Sequence, residues 1–138
     1  MSKDKAIIVD IDGTIADKNE RSPYNWMEVH QDTPKQTIID LVNLLAKQYR
    51  IILVSGRDAM CRDLTEQWLQ KHSVYYDKLL MRQTKDNRKD TIVKEEIYRK
   101  AVEPYFEVLF VLDDRNQVVD MWRNKLGLTC LQVAEGDF

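Results

Sequence analysis

Asp10 and Asp12 stand two residues apart, directly after the apolar run Ile7-Ile8-Val9 and directly before Gly13-Thr14. A carboxylate can attack phosphorus and carry the phosphoryl group as a covalent intermediate. A neighbouring carboxyl can protonate the leaving alkoxide and then deprotonate the hydrolytic water. Asp10 fits the first role and Asp12 the second. Such chemistry needs a hard cation, and Mg²⁺ prefers oxygen ligands. An ordinary Asp/Gly turn after a strand is the plain alternative.

Two further stretches end in chemistry, Val54-Ser55-Gly56-Arg57 and Leu112-Asp113-Asp114-Arg115. Ser55 and the N–H groups after it suit a phosphoryl oxygen, with the next helix's N-terminus adding favourable field. Asp114 or Asp113 can complete an oxygen-rich Mg²⁺ site with Asp10. Carboxylates gathered at one point repel, so the group makes little sense without a cation. Lys94 follows Asp90 by four residues. It either neutralises the nucleophile and phosphate or pairs with Asp90 on a solvated helix face, and spacing alone favours the second reading.

These residues need elements to hold them. Residues 6 to 10, 50 to 54, 78 to 82, 107 to 112 and 128 to 133 read as strands. Apolar spacing puts helices over about 34 to 48 (Ile38, Val42, Leu45, Tyr49, widened by Leu41), 59 to 72 (Met60, Leu64, Trp68) and 90 to 102 (Val93, Ile97, Ala101). A last helix carries Val118, Val119, Trp122 and Leu126 and stops at Gly127. Thr33-Pro34 reads as helix cap and first residue, and residues 11 to 33 as a long polar segment. The alternation predicts an α/β fold, a parallel sheet with right-handed crossovers and helices on both faces. If the strands ending at Asp10, Ser55 and Asp113 are neighbours, their ends open into one crevice.

The chain's 138 residues fit one domain with one core. A net charge of -2 argues against wholesale nucleic-acid coating. Cys61 and Cys130 lack C-x-x-C spacing, and His30 and His72 form no metal pair, which argues against zinc or a disulfide framework and for a reducing, cytoplasmic compartment. Nothing reaches membrane-spanning length, and Met1-Ser2-Lys3-Asp4-Lys5 is no apolar signal region. Cys61 has no arginine six residues on, which removes the cysteine-phosphatase loop, and no G-x-x-x-x-G-K-[ST] loop is present. Trp68 and Trp122 read as core. From Lys78 to Lys100 eight Lys/Arg face four acids, either a solvated face or a patch that tracks a nucleic-acid backbone.

The strings Asp10-Ile11-Asp12-Gly13-Thr14, Arg21-Ser22-Pro23-Tyr24, Val54-Ser55-Gly56-Arg57, Val93-Lys94-Glu95-Glu96-Ile97 and Asp113-Asp114-Arg115-Asn116-Gln117-Val118-Val119 span nearly the whole chain. With them the sequence resembles the 3′-phosphatase domain of phage-type polynucleotide kinase–phosphatases, in the haloacid dehalogenase superfamily. The resemblance implies a Rossmann-like fold with a minimal cap. It implies Mg²⁺-dependent removal of a 3′-phosphate from DNA or RNA ends through an aspartyl-phosphate, extending to 2′,3′-cyclic phosphates. By matched position Asp10 is the nucleophile. Asp12 is the acid/base and gives the metal its main-chain carbonyl. Asp114 ligates the metal with Asp113 beside it. Ser55 and Lys94 hold the phosphoryl group. Arg21 and Arg57 contact substrate, and Asp90 orients Lys94 or an arginine.

The family's kinase domain is missing from residues 1 to 138, which reads as a single phosphatase domain, either standing alone or partnered by a separate kinase or ligase. The segment after Arg57 is shorter than in the phage enzymes, which leaves substrate length open. Oligomeric state is also open, a homo-oligomer included. A phosphatase of small nucleotides or sugar phosphates, and a non-catalytic subunit that binds nucleic-acid ends, are the competing readings.

Overall fold

The computed structural model describes residues 2–138. Its centre is a five-stranded parallel sheet built from β1 (Asp4–Val9), β4 (Arg50–Asp58), β5 (Lys78–Arg82), β6 (Phe106–Asp113) and β7 (Cys130–Gln132), in the order β5-β4-β1-β6-β7. β1 is therefore flanked by β4 and β6, and the ends carrying Asp10, Ser55 and Asp113 are adjacent as the spacing requires. The chain order turns back between β1 and β6, where open α/β sheets bind ligands.

β1 shows why the sheet is covered on both faces. Its side chains alternate. Ile7 and Val9 pack with Ile39 and Val42 of α1 (Gln36–Leu45) and Trp68 and Leu69 of α2 (Arg62–Lys71). Ala6 and Ile8 face the other way, onto Tyr98 and Val102, which extend α3 (Asp90–Ile97), and onto Val118 and Val119 of α4 (Asn116–Asp120) and Trp122 beyond it. Both later helices widen at their ends, where Glu103 N–H donates to Tyr98 O (2.7 Å) and Leu126 N–H to Met121 O (3.1 Å). Gly127 follows with φ +69°, a left-handed residue that ends the last helix.

Several local expectations need correction. Thr33–Pro34 does not start a helix; it forms β3, antiparallel to β2 (Ala16–Asp17). The long-range pairing with Ala16 overrides the capping signal, and α1 begins at Gln36 without a side-chain cap. Leu41 lies off the buried stripe, which centres on Ile39 and Val42. Met60 is exposed on a short 3₁₀ turn (Ala59–Cys61) before α2. β4 continues past Val54 through Ser55, Gly56 and Arg57 to Asp58. The segment between β1 and α1 is a small flap made of the β2–β3 ribbon and a 3₁₀ turn at Trp26–Gln31, which is the minimal cap. Among the described residues no helix is long and apolar enough to cross a membrane.

Candidate active site

Asp10 leaves β1 with its N–H bonded to Leu112 O of β6 (3.0 Å). The chain then doubles back, and Ile11 O accepts from the N–H groups of Thr14, Ile15 and Ala16. Gly13 is required there twice over. Its φ is +84°, and a Cβ would lie 2.0 Å from Asp114 Oδ2. The turn thus presses its backbone against the carboxyl at the end of β6.

Asp10 is 5% exposed and Lys94 2%. Lys94 Nζ donates to Asp10 Oδ1 (2.8 Å) and Asp113 Oδ2 (3.1 Å). The solvated lysine paired with Asp90 that spacing favoured is therefore not what the fold makes. α3 points Lys94 inward. Asp113 is fully engaged, since Trp122 Nε1–H also donates to its Oδ2 (3.1 Å) and Asp114 N–H to its Oδ1 (2.8 Å). Thr14 Oγ1 donates to Asp10 Oδ2 (3.1 Å) and also lies 3.4 Å from Asp114 Oδ1.

Carboxylate oxygens of Asp10, Asp113 and Asp114 lie within 4.8 Å of one another, all buried. Burial first, then the Asp113 charge, pushes the Asp10 carboxyl well above the usual carboxylate range, although Lys94 pulls it down. Burial also raises Asp114, against a hydrogen bond with Asp10. For Lys94 burial works toward deprotonation, but the charges of Asp10, Asp113 and Asp90 outweigh it and keep the ammonium above its ordinary range. Lys94 is the one cation bonded to this carboxylate group among the described residues. Three carboxylates and one ammonium leave an uncompensated negative charge in a buried place. The donor set is all oxygen, so the residues fit a hard divalent cation.

Asp12 is held differently. Its side chain is 36% exposed and grips Arg57, whose side chain is fully buried, through Nη2 (2.8 Å) and Nε (3.1 Å). Arg57 also donates to Thr65 Oγ1 (3.1 Å) and Asp32 Oδ2 (2.9 Å). Arg21 donates to Asp32 through Nε (2.8 Å) and Nη2 (3.0 Å), and its Nη2 lies 3.4 Å from Asp12 Oδ1. Asp32, 4% exposed, is thus the hub that fixes both arginines. Sequence reasoning missed it, because it follows no motif and its partners lie 11 and 25 residues away. Trp68 is core as expected, and its Nε1–H also donates to Asp32 O (2.8 Å).

Ser55 is buried on β4, and its Oγ accepts from Arg57 N–H (3.0 Å). Asp90 opens α3 and does not bond Lys94. It accepts from Arg82 Nη2 (2.7 Å) and Arg115 Nη1 (3.3 Å). Gly56 makes room for it, since a Cβ there would meet Asp90 Oδ1 at 2.1 Å. Arg82 also donates to the carbonyls of Gly56, Asp86 and Arg88, which clamps the loop 83–89. Much of the basic surplus is neutralised within the fold: Arg82, Arg88, Lys94, Arg99 and Lys100 are ion-paired. Lys85, Arg88 and Lys89 are the exposed cations of that loop, and among the described residues only Arg88 of the three is ion-paired.

The model for the polynucleotide kinase PNKP phosphatase domain matches residues 4–138, nearly the whole chain. This chain belongs to that family. Among curated proteins it is 35% identical over 127 residues to a putative bifunctional polynucleotide kinase/RNA ligase of Autographa californica nuclear polyhedrosis virus. That match takes in 87% of this chain but only 18% of the viral protein. Among solved structures it superposes on a chain of a Pnkp1/Rnl/Hen1 complex with a TM-score of 0.97 and 45% identity, covering 99% of this chain and 48% of the other. A second chain, from a Pnkp1/Rnl/Hen1 RNA repair complex, gives 0.96 and 44%, covering 99% of this chain and 44% of the other. This phosphatase domain thus spans less than half the length of the relatives it matches.

Proposed function

We propose that this chain is a Mg²⁺-dependent polynucleotide 3′-phosphatase that works through an aspartyl-phosphate. The observation that carries the reading is the pairing of buried Asp10 with Lys94 at 2.8 Å, next to Asp114, with Asp12 held beside them by Arg57. In the first step Asp10 attacks the phosphorus, and the bond to the 3′ oxygen breaks. Asp12 supplies the proton for that leaving oxygen. In the second step water attacks the same phosphorus, Asp12 takes its proton, and inorganic phosphate leaves with Asp10 restored.

Lys94 and Ser55 serve to hold the phosphoryl oxygens. Asp113, with both oxygens already engaged, serves to aim Lys94. Asp10, Asp114 and the main-chain carbonyl of Asp12 would hold the Mg²⁺, which supplies charge neutralisation for the phosphoryl group. Arg21 and Arg57 bind Asp12 in the free protein, and an incoming phosphoester competes for the same guanidinium groups. Asp90 positions Arg82 and Arg115 at the rim.

The names of the matched relatives pair such domains with polynucleotide kinase and RNA ligase. We place this domain's activity beside 5′-end phosphorylation and strand sealing, and RNA 3′ ends are the first substrate to test. The test is phosphate release from matched oligonucleotides phosphorylated at the 3′ or the 5′ end, with and without Mg²⁺. Release from the 3′ end alone, and only with metal, is the expected result. Turnover of a small phosphomonoester with none from either oligonucleotide would overturn the polynucleotide substrate and keep the chemistry.

A further inference from the structure

Tyr24 is 83% exposed, the most exposed large hydrophobic side chain in the described structure. It does not sit on a loose loop. Asn25 N–H donates to Ser22 O (3.0 Å), which closes a turn with Pro23 and Tyr24 at its two central positions. Proline at the first central position fixes the backbone in advance. Tyr24 N–H also lies 3.4 Å from Ser22 Oγ. The whole turn is seated on Arg21, whose Nη1 donates to Ser22 O (3.2 Å) and Asn25 O (3.4 Å). The other terminal nitrogen of that guanidinium reaches Asp32 and lies 3.4 Å from Asp12. Trp26 covers the guanidinium with its ring at 5.9 Å. One arginine thus ties the acid/base carboxylate to a rigid turn that carries a bare aromatic ring.

We propose that Tyr24 is a substrate-binding residue that stacks on the terminal nucleobase of the 3′-phosphorylated strand. This rests on the polynucleotide reading above. In a nucleotide only one sugar separates the phosphate from the base, and in this fold only one guanidinium separates Asp12 from the Tyr24 turn. An aromatic face accepts any base, so the contact gives affinity without sequence preference. It also spares the site a basic groove, which agrees with the ion-pairing of five of the eight basic residues from Lys78 to Lys100 with acids of the same chain.

The test compares two 3′-phosphorylated oligonucleotides that differ only in whether the terminal nucleotide carries its base or is abasic. The readout is the ratio of kcat/KM for the base-bearing strand over the abasic one. In Tyr24→Ala this ratio is expected to fall about tenfold, carried by KM, as loss of one base–aromatic stack predicts. Tyr24→Phe, which keeps the ring, should retain the wild-type ratio. A Tyr24→Ala ratio equal to wild type overturns the stacking role even when overall activity drops, because a folding or backbone defect touches both strands alike. If the wild-type protein releases phosphate from neither oligonucleotide, the polynucleotide reading fails and the stacking role fails with it.

Discussion

Asp32→Asn tests the architecture behind Asp12 most directly. Asp32 accepts three short hydrogen bonds from Arg21 and Arg57, whose side chains are 4% and 0% exposed. Asparagine keeps the shape and one acceptor oxygen but loses the charge. Both buried guanidinium groups then face only Asp12, whose side chain is 36% exposed. Removing one partner of a buried ion pair costs about 3–5 kcal/mol, and the retained acceptor lowers this to roughly 2–4 kcal/mol. With a urea slope near 2 kcal/mol/M the unfolding midpoint should drop by about 1–2 M. Activity should fall with it, because Asp12 becomes the sole anion for two cations and is held away from the leaving group. Arg21→Gln in the same background should cost less than the sum of the separate changes, with a coupling of about 1–3 kcal/mol, since it removes the stranded charge. An unchanged urea midpoint for Asp32→Asn would refute the hub.

Three further outcomes follow from the geometry. Gly56→Ala places a methyl group where Asp90 Oδ1 now sits, 2.1 Å from the new Cβ, so the Asp90–Arg82 contact must open; activity should drop at least tenfold and stability by about 1–3 kcal/mol, read by phosphatase assay and urea unfolding. For Asp90, burial works upward but Lys94, Arg82 and Arg115 outweigh it and hold the carboxyl below its ordinary value. Its stabilisation is therefore present above the unfolded pKa of about 3.9 and disappears as pH falls through the lower folded value. Wild type should accordingly exceed Asp90→Asn in stability at neutral pH and converge with it in acid, and a gap that widens toward acid would contradict the sign. Burial, then Asp113, pushes the Cys130 thiol up to about 12, and burial raises Cys61 as well. Neither should react with a thiol reagent at pH 8 until the protein is unfolded, when both should.

Strands are legible because five short apolar runs, most of them carrying β-branched residues, are bounded by polar ones, and β5 coincides with its expected span although Leu79-Leu80-Met81 has no β-branched residue. The helices were legible by spacing, with Leu41 and Met60 misassigned because periodicity fixes a stripe only to within a neighbouring position. Thr33-Pro34 misled because a capping signal is worth about 1 kcal/mol, less than a ribbon supported by the flap around it. Asp10 and Asp114 were visible at strand ends, and their cluster with Asp113 follows from strand order. Asp32, Thr14, Arg82 and Arg115 were not singled out for the roles they take. Each is a common polar type whose use depends on a partner elsewhere in the chain.

The sequence by itself determined the alternation of elements, the carboxylates at the strand ends, the need for Gly13 at a tight turn, and the family. Those properties are local: a strand end, a turn and a motif are written in a few consecutive residues. Only the tertiary structure decided that Lys94 turns inward to Asp10, 84 residues away, and that Arg57 crosses 45 residues to Asp12. It also decided that Asp90 serves two arginines in place of the lysine four residues on. A buried charge goes to whichever opposite charge shares its low-dielectric surroundings, and packing, not spacing along the chain, sets which groups those are.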